Sequence, residues 1–346
     1  MQNRAAFMTG IRNMEFRDVP MPSAKEGEVV VKLEYVGICG SDIHYFEHGR
    51  IGDFIVEDDF ILGHECAGSV HEVGMGVTTH KVGDRVALEP GIVCGKCEFC
   101  LSGRYNLCPD VKFFATPPYQ GIFTNFVAFP AHRAFKLPDN VSAKEGSLVE
   151  PLAVGLEAAK VGGVELGQSV VILGAGCIGL TSLLVCKARG AADITVVDVI
   201  LKRLDKALEF GATRVIDAFK TDSTKAILEA IGDIGADVVI ETAGTNKTTQ
   251  QTPFIVKRGG TIVLVGMPPN GVVEYDFSKL MGKVANIRTI FRYKNQYPVA
   301  LNAIASGVID VSGIVSDEFS FSDLEEAFRV NIDKKSDVVK IGIKMD

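Results

Sequence analysis

SVVILGAGCIGLTSLLVCKARGAADITVVD, residues 169–198, decides the fold. SVVIL is an unbroken apolar run, the pattern of a strand buried on both faces. It runs into GAGCIG, where Gly174, Gly176 and Gly179 have the G-x-G-x-x-G spacing. IGLTSLLVCKARG (178–190) has helical length and closes on a glycine. ITVVD (194–198) is a second buried-type strand, ending in Asp198. Strand, glycine turn, helix, and a strand with a terminal acid form the context in which this spacing signals dinucleotide binding. Gly174 permits the tight turn, Gly176 lets the backbone approach a pyrophosphate, and Gly179 lets helix and strand pack closely. The helix N-terminus offers unpaired N–H groups to phosphates. Asp198 can accept hydrogen bonds from the adenosine ribose and would repel a 2′-phosphate, which favours NAD over NADP. Arg203 pulls the other way, since a nearby arginine can serve a 2′-phosphate. A glycine turn with no ligand is the alternative that this context disfavours.

The alternation continues outward from this unit. LKRLDKALEFGA (201–212), RVID (214–217), STKAILEAIG (223–232), ADVVIETAG (236–244) and TIVLVG (261–266) predict helices and buried strands in turn, hence a parallel α/β sheet. Residues 1 to about 150 have another style. EVVVKLEYVGIC (28–39), HECAGSVHEVG (64–74), DRVALEP (84–90) and FTNFVAFP (123–130) predict an all-β domain with long functional loops. The tail from about 295 has a helix-like NQYPVALNAIASG and a final strand VVKIGIKM that is expected to return to the first domain.

The 346 residues suggest two domains. With 47% apolar and 23% charged residues the chain can bury large cores. A net charge of -7 and the lack of a basic run interleaved with aromatics argue against nucleic acid as a partner. The N-terminus lacks the apolar core of a signal peptide, and no run approaches the ~18 apolar residues of a membrane span. A cytoplasmic location without membrane association is expected. The eight cysteines are then expected to be reduced, which points to metal binding or catalysis before disulfides.

Cys94, Cys97, Cys100 and Cys108 give C-x2-C-x2-C-x7-C. Four converging thiolates satisfy tetrahedral zinc and leave no open position, the mark of a structural site. An iron–sulfur cluster fits less well, since the CP-type ferredoxin run is missing. Cys39 in GICGSDIH, and His64 and Glu65 in LGHECAG, are scattered. Read singly, such a cysteine is a small buried hydrophobe and such a His-Glu pair is ordinary surface. Together, cysteine, histidine and a carboxylate leave a fourth zinc position for water or substrate, as catalysis requires. Glu150 in LVEPLAVGLEAA is a further carboxylate, or merely a helix N-terminal charge.

GICGSDIHYFEHGRIGDFIV (37–56), LGHECAG (62–68), GRYNLCP (103–109), ATPP (115–118), KLPDNVS (136–142), EPLAVG (150–155), GAGCIG and FRYKNQYPVA (291–300) together carry a likeness over essentially the whole chain. The chain resembles the zinc-dependent medium-chain dehydrogenases, and within them the sorbitol, or polyol, dehydrogenase group. The resemblance implies a GroES-like β catalytic domain (1–153 and 295–346, with a structural-zinc lobe at 91–110), a Rossmann NAD-binding domain (154–294), and a cleft between them. It implies two zincs per subunit and a homotetramer, with a dimer as the alternative. Cys39, His64 and Glu65 become the catalytic zinc ligands. Glu150 is either a fourth ligand or the group that holds the zinc-bound water, and charge balance at the metal favours the second role. Ser41 and His44 become a proton relay, with Glu150 as the rival. Tyr45, Phe113, Thr116, Glu150, Arg292 and Tyr293 are the implied substrate contacts. Ile178, Val265, Phe291 and Arg292 join Gly174, Gly176, Gly179, Asp198 and Arg203 around the cofactor. The implied reaction is oxidation of a polyol (sorbitol, xylitol or L-iditol) at C2 to the ketose with hydride transfer to NAD. Rival substrates within the family are arabinitol, galactitol-phosphate, threonine and butanediol. A non-enzymatic NAD and zinc sensor would need no open metal position, and a zinc-free quinone reductase would not carry Cys39, His64 and Glu65.

Overall fold

The computed structural model describes residues 2–268, 271–334, 336 and 338–346. The chain divides into two compact units, one of Met1–Glu150, Tyr297–Gly307 and Val311–Asp346, the other of Pro151–Gln296 and Val308–Asp310.

The strand Glu28–Gly37 is the hub of the first unit. Val29, Val30, Val31, Leu33 and Val36 along it are fully buried. It pairs antiparallel with Glu65–Val73, with Phe126–Pro130 and with the C-terminal strand Ile341–Lys344. The sheet runs Ala134–Lys136, Arg85–Leu88, Glu65–Val73, Glu28–Gly37, Ile341–Lys344, Asp317–Ser320. Ile341 and Ile343 point into the core on either side of Gly342, the two-residue period of a strand. The late helix Leu324–Asp333 buries Phe328 against Phe46 and Phe123, at 4.9 and 5.9 Å between ring centroids. Burying one such ring is worth about 1.5–3 kcal/mol, so the tail belongs to this core energetically as well as topologically.

The β-type reading of residues 1–150 is amended by helices, of which Glu98–Leu101 and Ala143–Ser147 are short. Immediately after the hub strand the chain forms a helix, Gly40–His48. Its start is set locally: Asp42 Oδ2 accepts the Cys39 N–H at 2.9 Å, and an acid in the first turn suits the helix dipole.

The second unit is the parallel sheet that the alternation of buried strands and helices predicts. Its order is Arg214–Asp217, Asp193–Asp198, Ser169–Leu173, Ala236–Glu241, Val256–Leu264, Asn286–Thr289. Val170 stands between Ile194 and Val238 in register, so Ser169–Leu173 has partners on both edges. Val171, Leu173, Val197, Ile216, Val239 and Ile262 form part of its core. The helix Asn246–Ile255 has no apolar period to announce it. The Thr245 side chain, which accepts the Thr248 N–H at 3.1 Å, starts it instead. No helix among the described residues is long and apolar enough to cross a membrane.

Candidate functional site

The glycine turn in the second unit has the geometry its spacing requires. Gly174 has φ 101°, a left-handed conformation that side chains resist. A Cβ on Gly179 would collide with the Gly174 carbonyl oxygen, so only glycine lets the helix Cys177–Ala188 start this close to the strand. A Cβ on Gly176 would meet nothing nearer than Arg203 Nη1 at 3.9 Å, which leaves room for a phosphate above the backbone. Asp198 closes the turn from the next strand. Its Oδ2 accepts the Ala175 N–H at 2.6 Å, and its Oδ1 accepts those of Val199 and Ile200 at 2.7 and 2.9 Å. Three backbone donors hold the carboxylate rigidly at the end of its strand. Burial pulls the Arg203 guanidinium down from its ordinary pKa, against the attraction of Asp198. These residues fit a dinucleotide.

In the first unit Cys39, His64 and Glu65 bring one donor atom each to within 4.8 Å of one another. Register explains the meeting. Gly37 and Glu65 are cross-strand partners, so Cys39, just past one strand end, and His64, just before the other strand's start, emerge together. His64 and Glu65 are buried, and His64 Nδ1 and Glu65 Oε1 have no hydrogen-bond partner among the described residues. Leaving such atoms unpaired costs about 1–3 kcal/mol each. A metal cation is the partner this donor set fits: thiolate, imidazole and carboxylate are zinc ligands, and three protein ligands are the catalytic pattern.

Two residues beyond the sequence reading shape this cluster. Asp42, fully buried, accepts the N–H of Cys39 and, through Oδ1, that of Gly63 at 2.9 Å; the same oxygen is 3.6 Å from His64 Nδ1. One carboxylate thus ties the Cys39 loop to the His64 loop. Burial alone would depress the His64 pKa, but Asp42 and then Cys39 outweigh it and hold the imidazole well above its ordinary value. A buried carboxylate beside the donor set supports positive charge there. Lys340 is the second, a buried ammonium ion-paired with Glu65 Oε2. Asp42 could have been found as an acid three residues after a helix-starting position. Lys340 lies too far along the chain from Glu65 to leave a local signal.

Cys94, Cys97, Cys100 and Cys108 also converge within 4.8 Å. Cys97 Sγ and Cys94 Sγ stand 3.5 and 3.9 Å from Cys100 Sγ. Backbone N–H groups are aimed at the sulfurs: Cys97 N–H donates to Cys94 Sγ and Cys94 N–H to Cys108 Sγ, each at 3.4 Å. Backbone donors at Lys96 and Cys97 lower the Cys94 thiol to about 7, while desolvation and then Cys97 push Cys100 up to about 12. Four converging thiols with backbone donors aimed at them fit a divalent ion that takes all of them as thiolates. All eight cysteines are free of disulfides.

The remaining candidates are distributed over both units. Ser41 and His44 lie on the helix Gly40–His48, with the His44 ring 4.7 Å from that of His48. Tyr45, on the same helix, is buried beside Phe60. Phe113 packs its ring 5.8 Å from that of His64. Thr116 makes a bridge to Tyr119. Glu150 is buried in the first turn of the helix Val149–Gly162 and lies outside the three-donor set. In the second unit Ile178 is half-buried in the first turn of its helix. The Val265 N–H donates to the Glu241 carbonyl at 2.9 Å. Arg292 covers the Phe291 ring at 4.8 Å, and Tyr293 is buried.

Residues 25–139 match the family described as alcohol dehydrogenase GroES-like domain, and residues 177–306 that described as zinc-binding dehydrogenase. The zinc-type alcohol dehydrogenase-like protein YdjJ of Escherichia coli (strain K12) is 46% identical over 100% of this chain and 99% of its own. A sorbitol dehydrogenase of Bacillus subtilis (strain 168) is 40% identical over 98% of this chain and 96% of its own. Among crystal structures, an Escherichia coli oxidoreductase/dehydrogenase of unknown specificity superposes with a TM-score of 0.96 at 45% identity, covering 100% of both chains. Zinc and NAD(H) are the cofactors that this family and the two kinds of site have in common. The chain belongs to the zinc-dependent medium-chain dehydrogenases, in their polyol dehydrogenase group.

Proposed function

We propose that this oxidoreductase converts a polyol of the sorbitol, xylitol or L-iditol type to its ketose by oxidation at C2, with NAD as the hydride acceptor. The observation that carries the reading is the meeting of Cys39, His64 and Glu65, a buried three-donor set of catalytic type, in a chain 40% identical to a sorbitol dehydrogenase. When bound there, zinc supplies Lewis acidity that lowers the pKa of a substrate hydroxyl, and NAD takes up hydride.

The chain's own residues bind, orient and move the proton. Ser41 accepts it from the reacting hydroxyl and His44 passes it to solvent. Burial, and next the neighbouring His48, lower the His44 pKa, so the imidazole is neutral and able to accept near pH 7. Tyr45, Thr116, Glu150, Arg292 and Tyr293 take the other hydroxyls of the polyol, and Phe113 closes an apolar side. Glu150 is assigned a place beside the metal and not on it, because a second bound carboxylate would leave the zinc site net negative and weaken its Lewis acidity. Polar groups left unpaired by a simple alcohol are costly, so such a site rejects ethanol. The working protein is proposed to be a cytoplasmic homotetramer, which light scattering in solution checks.

Turnover of sorbitol, xylitol, L-iditol and ethanol with NAD and NADP tests the reading, and preference for ethanol would refute it. Cys39→Ser should abolish turnover while NAD binding, followed by nucleotide fluorescence, stays intact. Turnover that survives this change removes Cys39 from the mechanism.

A further inference from the structure

The four-cysteine lobe is tied to the Cys39–His64–Glu65 centre by contacts that neither set of ligands requires. The lobe leaves the fold at the short strand Gly91–Ile92 and returns at Lys112–Phe113. These pair antiparallel, Gly91 opposite Phe113 and Ile92 opposite Lys112. Cys108 leads straight into the second of them, its carbonyl accepting the Val111 N–H at 3.3 Å. The Phe113 ring lies over Gly91, where a Cβ would stand 3.4 Å from Phe113 Cδ2. The same ring packs on His64, 5.8 Å between centroids.

A second grip on the lobe does not involve its thiols. Tyr105 lies between Cys100 and Cys108, and its hydroxyl donates to Glu89 Oε1 at 2.8 Å. Glu89 and Arg133 are buried and ion-paired, Nη1 to Oε2 at 3.2 Å. The Arg133 guanidinium sits 4.5 Å over the Tyr105 ring, and its Nε donates to the Gly91 carbonyl at 2.9 Å. One buried cluster therefore holds the interior of the lobe, through Tyr105, and its base, through Gly91.

We propose that Tyr105, Glu89 and Arg133 are positioning residues for the His64 centre. They fix the base of the lobe, the base fixes Gly91 against Phe113, and Phe113 fixes the imidazole. The Asp42 carboxylate stands 3.6 Å from Nδ1, and Phe113 packs against the ring. Groups that orient a metal-binding histidine tune metal retention about 10–100-fold, and an apolar cover restricts water at the site. The four-cysteine lobe is thus a strut for the catalytic histidine as well as a fold element. This inference rests on the proposed reading of Cys39, His64 and Glu65 as the catalytic metal centre.

The test follows metal loss from the two centres separately. Protein loaded with cobalt(II) in place of zinc absorbs differently at a four-thiolate centre and at a one-thiolate centre, so a chelator time course resolves both. Tyr105→Phe removes one hydroxyl and keeps the ring under Arg133. It should speed release from the one-thiolate centre about 10-fold, with the four-thiolate spectrum and NAD affinity unchanged. Glu89→Gln, which keeps an acceptor for Tyr105 but loses the charge facing Arg133, should act in the same direction and serves if the first variant folds poorly. Phe113→Leu should also speed release, and adding Tyr105→Phe to it should speed it no further, because both act through one contact. Unchanged release in Tyr105→Phe and Glu89→Gln, equal acceleration at both centres, or additive effects with Phe113→Leu would each overturn the coupling. A wild-type protein that takes up cobalt only in four-thiolate form overturns the reading of the His64 centre, and the coupling with it.

Discussion

Lys340 Nζ is ion-paired with Glu65 Oε2, and both side chains are all but sealed from solvent, 3% and 1% exposed. A cation thus occupies the carboxylate that the proposed metal centre would use. Gly37 lines the contact, since a Cβ there would run into Glu65 Oε2 and come within 3.1 Å of Lys340 Cε. Removing one partner of a buried pair costs about 3–5 kcal/mol because the other charge is stranded. Lys340→Met is therefore expected to destabilise the metal-stripped protein by about 3 kcal/mol. The zinc-loaded protein should lose less, because the metal neutralises Glu65. Thermal unfolding with and without chelator measures both. An equal loss in the two forms would show that Glu65 does not meet the metal.

Asp42 ties two ligand loops together with a single carboxylate. Asp42→Asn gives one of the two backbone donors an N–H to face in place of an acceptor. Catalytic-site zinc affinity should fall about 10–100-fold, and dialysis against a weak chelator should leave about one zinc per subunit, held by the four cysteines. Retention of two zincs under these conditions would leave Asp42 with no role at the metal.

His44 has its pKa lowered, first by burial and then by His48. In the proposed relay the neutral form accepts the proton, so oxidation of the proposed polyol substrate should weaken only as pH falls below the ordinary imidazole value of about 6.5. His44→Gln should reduce kcat about 100-fold and remove that acid limb from the profile of kcat against pH. A limb that persists in the variant belongs to another group.

Glu318 receives Lys144 at 2.9 Å, Lys344 at 3.0 Å and the Tyr35 hydroxyl at 2.8 Å. Lys144 first, and then Lys344, bring its carboxyl from an ordinary 4.5 to about 2. A depressed pKa stabilises the fold above the unfolded value and is lost as pH falls from about 4.5 towards 2. Because the group is partly exposed and screened, Glu318→Gln should cost only about 1 kcal/mol at pH 7. Urea unfolding at several pH values should show that gap closing as pH falls from about 4.5 towards 2. A gap that stays constant would trace the loss to packing.

The parallel sheet was legible because its strands are buried on both faces and read as unbroken apolar runs, as in SVVIL and ITVVD. The helix Asn246–Ile255 was not, since a capping threonine and tertiary contacts, not an apolar period, form it. The helix Gly40–His48 was hidden inside a stretch that reads as turn residues, and Asp42, which starts it, serves the neighbouring loop as well.

What the sequence by itself determined is what local spacing encodes. The glycine turn with Asp198 and the four close-set cysteines are built from residues near one another in the chain, so their geometry follows from short loops. Only the tertiary structure decided what depends on register between distant strands. Pairing of Gly37 with Glu65 brings Cys39 to His64, and the return of the C-terminal strand beside Gly37 delivers Lys340 to Glu65. A buried charge needs a partner wherever the chain can supply one. Here the chain supplies it from the residue just before its last strand, and no local pattern records that choice.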